Sequence, residues 1–227
     1  MNSRYDKQGY TLQDGEIDFD LLDRTNQARV SYFRHATSNF GTSNSHWPRW
    51  LGFPVIKYPT DMIQYQQIFY ETRPELIIEC GTAKGGSGLF FATMMDLLNI
   101  EGGSVVSTDI NNTHRKRSLP KHPRLIHLNG STLDKNIFTT ISEMSHGKKT
   151  MAILDSDHSC HHVTQELELY HSLVTPGQYL VVEDTNLAGP YEAIKKFLLV
   201  YGHAYEQKWF ERQIMFSSIP GGWLLKK

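Results

Sequence analysis

Acidic side chains stand where short apolar runs end. Glu79 follows 76–78, Asp109 closes 104–108, Asp155 follows 150–154, and Glu183 with Asp184 follows 178–182. Carboxylates that recur at successive run ends can converge on one ligand. Asp155-Ser156-Asp157-His158-Ser159 and the Glu183-Asp184 pair supply hard oxygen ligands, the donors that Mg²⁺ or a similar hard divalent cation takes. The first metal acid is Asp155 or Asp157. His158 follows so closely that a neutral imidazole there can take a proton from a hydroxyl whose acidity the metal has raised. His161 and His162 extend the run, but a zinc site is disfavoured by the carboxylates and by the lack of CxxC spacing at Cys80 and Cys160.

The turn after Glu79 reads Cys80-Gly81-Thr82-Ala83-Lys84-Gly85-Gly86-Ser87-Gly88. Its glycines let a ligand approach the backbone, and the helix that follows offers free N–H groups. It has neither the GxGxxG spacing of dinucleotide binders nor the GK[ST] ending of a P-loop. Asp109, one strand later, is placed to hold both hydroxyls of a ribose. A ribose acid without a phosphate cradle fits an adenosyl ligand that carries no phosphate, and S-adenosylmethionine is such a ligand. The residues offered to it are Glu79, Gly81, Thr82, Ala83, Lys84, Gly86, Ser87, Asp109, Ser131 and Asp155.

These positions require elements to carry them. Runs 75–79, 104–109, 124–128, 150–154 and 177–182 read as strands alternating with helix-length segments, the pattern of a doubly wound, mostly parallel α/β sheet. Ligands of such sheets bind beyond the carboxyl ends of the strands. Asp61 reads as the N-cap of a helix that carries Tyr65, Ile68 and Phe69 inward. Segments 213–217 and 223–225, joined through Pro220-Gly221-Gly222, read as a closing hairpin. Residues 1–60 form a polar cap with a helix near 17–35, whose Phe19, Leu22, Val30 and Phe33 make an apolar stripe. The aromatic stretch 46–54 reads as a plug over the core or as a substrate-facing loop.

The chain has 227 residues, with 23 Lys and Arg against 24 Asp and Glu, and a net charge of −1. So weak a field argues against a nucleic-acid partner. With 39% hydrophobic and 21% charged residues the chain is of ordinary globular composition. Two cysteines cannot build a disulfide framework. The start lacks a signal-peptide apolar region, and no apolar run reaches membrane-spanning length, so a cytoplasmic protein is expected.

Several stretches resemble the cephalosporin hydroxylase / rhamnosyl O-methyltransferase family. They are Gly52-Phe53-Pro54, Lys57-Tyr58-Pro59-Thr60-Asp61, Glu71-Thr72-Arg73-Pro74, Ile77-Ile78-Glu79-Cys80-Gly81-Thr82, Gly85-Gly86-Ser87, Asp155-Ser156-Asp157-His158-Ser159, Val182-Glu183-Asp184-Thr185 and Pro220-Gly221-Gly222-Trp223. The resemblance runs from about residue 45 to the C-terminus, and residues 1–44 match nothing in it. It implies a Rossmann-like class I methyltransferase fold: a seven-stranded, mostly parallel sheet with the last strand antiparallel, over residues 61–227. It also implies S-adenosylmethionine near Glu79, Gly81, Lys84, Ser87 and Asp109, magnesium on an Asp and the Glu183-Asp184 pair, and self-assembly. The spacing is similar to that of metal-dependent catechol O-methyltransferases, with Asp155 as first metal acid and His158 at the position of their catalytic Lys.

The expected reaction is methyl transfer to a hydroxyl of a sugar or glycosylated natural product, with Trp47, Trp50 and Tyr58 available to stack on a sugar. Two rivals are a metal-dependent hydroxylase and a non-catalytic partner subunit that keeps the fold. Oxygen chemistry calls for a two-His, one-carboxylate triad, and the acids here run the other way. The intact turn and acid set count against the second.

Overall fold

The computed structural model describes residues 19–38, 47–110, 119–210, 214 and 216–227. Helix α1 (Phe19–Thr37) and a two-residue hairpin, β1 (Arg49–Trp50) and β2 (Phe53–Pro54), precede α2 (Pro59–Thr72). Then β3 (Leu76–Cys80), α3 (Gly86–Leu97), β4 (Ser104–Asp109) and β5 (Leu125–Asn129) follow. After them come α4 (Lys135–Ser145), β6 (Thr150–Leu154), α5 (Cys160–Tyr170), β7 (Tyr179–Val182), α6 (Ala188–Tyr201), β8 (Tyr205–Lys208) and β9 (Trp223–Lys226). Seven strands form one sheet in the order β5-β4-β3-β6-β7-β9-β8. The first five are parallel, and β9 runs antiparallel to both β7 and β8.

The central strands are apolar on both faces because helices cover both. Ile77, Val105, Ile153 and Val181 pack with Tyr65 and Phe69 of α2 and Phe91 of α3. Ile78, Val106, Ala152 and Val182 point the other way, toward Ile141 of α4, Leu167 of α5 and Phe197 of α6. That alternation is the period of two inherent in a strand. Local chemistry sets the helix ends. Pro59 stands in the first turn of α2, where its missing N–H costs nothing. Asp134 caps α4 by accepting from the N–H groups of Asn136 and Ile137 at 2.8 and 3.1 Å.

Several expectations change. The five strand positions hold, shifted by a residue or two at their ends. Asp61 is not an N-cap. Tyr58 holds that position, and Asp61 lies fully buried in the first turn. It accepts from Ser217 Oγ at 2.5 Å, Ser218 N at 3.0 Å and Ser218 Oγ at 2.9 Å. The partner of the last strand is β8, not 213–217, because the chain after α6 turns straight back to pair with β9. Residue 213 lies outside the described residues, as do residues 1–18 and His46. The division at 60/61 falls inside α2. Val30 and Phe33 of the expected α1 stripe are 39% and 49% exposed, so they do not enter the core; the side chains of Phe19 and Leu22 lie outside the described ones.

The aromatic stretch is a plug. Trp47 and Tyr58 are buried together, with Tyr32 edge-on to both. Trp50 donates to Thr93 Oγ1 at 2.8 Å and meets Phe90 edge-on. Trp47 and Tyr58 therefore cannot stack on a sugar as the sequence suggested.

Trp223 is fully buried, edge-on to Tyr65 at 4.8 Å and to Phe210 at 5.7 Å. Trp223→Ala is expected to lower the unfolding free energy by about 3–5 kcal/mol, read by chemical denaturation. A loss under about 1 kcal/mol would show that this corner repacks freely.

Candidate active site

The strand order reverses direction between β3 and β6, and a crevice opens beyond their carboxyl ends, as it must at such a switch. The ends of β3 and β6 crowd closely there. Gly81 has φ of 102°, and a Cβ on it would stand 2.0 Å from the carbonyl oxygen of Asp155. Only glycine fits. Asp109 Oδ2 accepts from the N–H groups of Thr82 and Ala83 at 3.1 and 2.9 Å, so this acid also pins the Gly-rich turn.

A cleft of about 340 Å³ lies over these ends, within the size range of small-ligand sites. Of the residues expected at the donor, Gly81, Ala83, Asp109, Ser131 and Asp155 line it. Its described walls do not include Glu79, Thr82, Lys84, Gly86 or Ser87. Glu79 is fully buried beneath the turn, where Ser107 Oγ donates to its Oε2 at 2.5 Å. Thr82 Oγ1 lies 2.7 Å from that serine oxygen. Gly86 packs on the plug, since a Cβ there would meet the carbonyl oxygen of Pro54 at 2.2 Å. Thr132, Ser156 and His162 also line the cleft, and the sequence reading missed them as a group. They share the buried carboxylate of Glu166, whose Oε1 lies 2.5, 2.6 and 3.3 Å from Thr132 Oγ1, Ser156 Oγ and His162 Nε2. A Ser ten residues before an acid, and a His one helical turn before it on α5, was the available signal.

At the other end, Asp155, His158 and Asp184 each offer one ligand atom, all within 4.8 Å of one another. His158 Nε2 lies 3.2 Å from Asp184 Oδ2 and 3.8 Å from Asp155 Oδ1. The two carboxylate oxygens fit a hard divalent cation, with the imidazole standing beside them. The Asp155 carboxylate, and then Asp184, push His158 up to about 9 against the opposing effect of burial. Burial, with Asp155 and Glu183 as like charges, pushes Asp184 up to about 7. Asp184 holds φ of 52°, a left-handed conformation that Asp tolerates better than most non-glycine residues.

The other two expected metal acids stand apart from this trio. Asp157 Oδ1 accepts from Ser159 N at 2.7 Å. Glu183 turns inward, where Lys57 Nζ and Tyr65 OH donate to its Oε1 at 2.7 and 2.6 Å. Lys57 also reaches Asp155 Oδ2 at 2.8 Å. No spacing in the sequence ties Lys57 to these acids. His162 faces Glu166 and stands outside the cation trio.

The comparisons place this geometry in context. Residues 43–227 match the family described as Rhamnosyl O-methyltransferase/CmcI. A rhamnosyl O-methyltransferase of Mycobacterium leprae is 35% identical over 191 residues, which cover 78% of this chain and 82% of that protein. Its namesake from Mycobacterium tuberculosis is 33% identical over 195 residues, 78% and 77% of the two chains. A CmcI structure with Mg and SAM superimposes with a TM-score of 0.62 at 18% identity, covering 87% of this chain and 84% of that one. An O-methyltransferase from Bacillus cereus in complex with SAH gives 0.54 at 15% identity, covering 91% of both. The class I methyltransferase fold expected from the sequence is the fold observed.

Burial pushes Glu79 up to about 7, with Lys57, Ser107 and Ser87 pulling the other way. The folded protein then keeps a proton that an unfolded chain releases near pH ~4.3, so stability falls as pH rises from there to about 7 and levels off above. Glu79→Gln cannot ionise and should gain on wild type across that window. Melting temperatures of both proteins from about pH 5 to about pH 8 measure it, and a gap independent of pH contradicts the assignment.

Proposed function

This chain belongs to the Rhamnosyl O-methyltransferase/CmcI family, and we propose on that premise that, as an S-adenosylmethionine-dependent O-methyltransferase, it methylates a hydroxyl of a sugar or glycosylated small molecule. The observation that carries the reading is one cleft with Asp109 and the Gly-rich turn at one side and the Asp155, His158, Asp184 trio at the other. The sugar acceptor is supported by the names of the mycobacterial relatives.

Asp109 binds the ribose hydroxyls while fixing the turn that approaches the donor. Gly81 and Ala83 shape the wall beneath it, and Ser131 closes the base end. Thr82, Lys84, Gly86 and Ser87 build and hold the turn, and Glu79 supports it from below. Asp155 and Asp184 would hold a hard divalent cation, with Glu183 next to Asp184 in the chain and Asp157 at the rim of the cleft. When bound, the donor supplies a methyl group on a sulfonium and the cation supplies the charge that makes the acceptor hydroxyl more acidic.

With a cation's charge offsetting the carboxylates that otherwise keep the imidazole protonated, neutral His158 would take the acceptor hydroxyl's proton at Nε2. The freed oxygen would then bond to the donor's methyl carbon as the carbon–sulfur bond broke with its electrons on sulfur, the donor leaving as S-adenosylhomocysteine. Holding two reactants in line is the larger contribution the chain makes. A hydroxylase would call for two imidazoles and one carboxylate, whereas the trio among the described residues holds one imidazole and two carboxylates.

His158→Ala should lower turnover of a rhamnoside acceptor at least about 100-fold, measured by transfer of labelled methyl, with binding of S-adenosylhomocysteine unchanged. Near-wild-type turnover would remove His158 from the proton transfer.

A further inference from the structure

Lys57 is the least expected member of the site. It precedes α2 in the segment that the sequence reading gave to the cap, yet it is only 3% exposed. Its ammonium sits between Asp155 Oδ2 at 2.8 Å and Glu183 Oε1 at 2.7 Å. Tyr65 OH donates to the same Glu183 oxygen at 2.6 Å, and the Lys57 ammonium lies 5.9 Å from the Tyr65 ring centre. Burial alone would drive Lys57 toward the neutral amine. The carboxylates of Asp155 and Glu183 more than offset this and hold it charged.

The two oxygens of Asp155 therefore face two different cation positions. Oδ2 faces Lys57, and Oδ1 faces the trio with His158 and Asp184. Glu183 follows β7 directly and neighbours Asp184 in the chain, but its Oε1 is fully engaged by Lys57 and Tyr65. A dication drawn to Asp155 would stand beside an ammonium already bound to the same carboxylate. At such separations in a partly buried site, like charges repel strongly.

We infer that Lys57 is a resident counter-ion of the Asp155–Glu183 pair that competes with the divalent cation, so that the ammonium guards the metal-free site and gives up Glu183 when the cation binds. This inference rests on the metal reading given above. It makes Lys57 a positioning residue: it fixes the side chains of two acids and sets how tightly the site takes metal. A purely structural ion pair would make a different prediction, because removing the ammonium would then loosen Asp155 and weaken the metal site.

Mn²⁺ is a suitable probe, since free and bound ion are counted directly by electron paramagnetic resonance. Lys57→Met should bind Mn²⁺ at least about tenfold more tightly than wild type. Metal-free, this variant should melt below wild type, because one buried and one partly buried carboxylate have lost their partner, and Mn²⁺ should raise its melting temperature more than it raises that of wild type. Adding Glu183→Gln to Lys57→Met removes one charge of each sign and should return the Mn²⁺ affinity to within about threefold of wild type.

Equal or weaker Mn²⁺ binding by Lys57→Met overturns the inference, as does a variant that stays unfolded in Mn²⁺. Equally tight binding by the double variant overturns the part assigned to Glu183. If Asp184→Asn weakens Mn²⁺ binding while Lys57→Met does not strengthen it, the metal reading stands and the role of Lys57 falls. If wild type and every variant fail to bind Mn²⁺, both fall together.

Discussion

Asp61, Glu79 and Glu183 are buried, Asp155 is partly so, and among the described residues the buried cation beside them is the ammonium of Lys57. Burying a carboxylate without compensation is costly enough that the group would neutralise or the fold would open. Each of these acids meets that constraint differently. Glu183 and Asp155 take the ammonium. Asp61 takes two serines from the C-terminal loop and is pushed up to about 7 by burial. Glu79 takes Ser107. The plug, α2, the strand ends and the loop before β9 are thus tied to one another by charges that none of them can leave unpaired.

The sheet supplies what those charges need, a rigid frame with open ends. Parallel strands β3, β4, β5 and β6 finish at one edge, and the reversal of order between β3 and β6 keeps any connection from crossing it. Gly81 brings the first turn against the carbonyl of Asp155, so the donor side and the cation side share one wall. Asp109 and Glu166 hold the remaining walls from opposite sides, one through backbone N–H groups and one through side-chain hydroxyls. A cleft built on strand ends and helix starts has little freedom to drift, which is what positioning two reactants demands.

Much of this was legible in the sequence, for physical reasons. Two-sided burial makes β3, β6 and β7 continuous apolar runs, and an acid ending such a run is conspicuous. Asp155 and His158 come together because they lie on one short loop. What was hidden depends on contacts remote in sequence. Glu183 and Asp184 read as a pair, yet adjacent residues leaving a strand point to opposite sides, and one faces Lys57 while the other faces His158. Asp61 has the sequence look of a cap and is instead a buried anchor for Ser217 and Ser218. Trp47 and Tyr58 have the look of a sugar platform and are a plug, because Tyr32 from α1 covers them.

The central claim is that the strand-end cleft binds the methyl donor through Asp109 and the turn it holds. Calorimetric titration of S-adenosylhomocysteine into wild type and Asp109→Ala tests it most directly. The account predicts micromolar binding by wild type and a loss of at least about tenfold, or about 1.4 kcal/mol, in the variant. Wild-type protein that binds no S-adenosylhomocysteine, or binding that ignores Asp109, would contradict it.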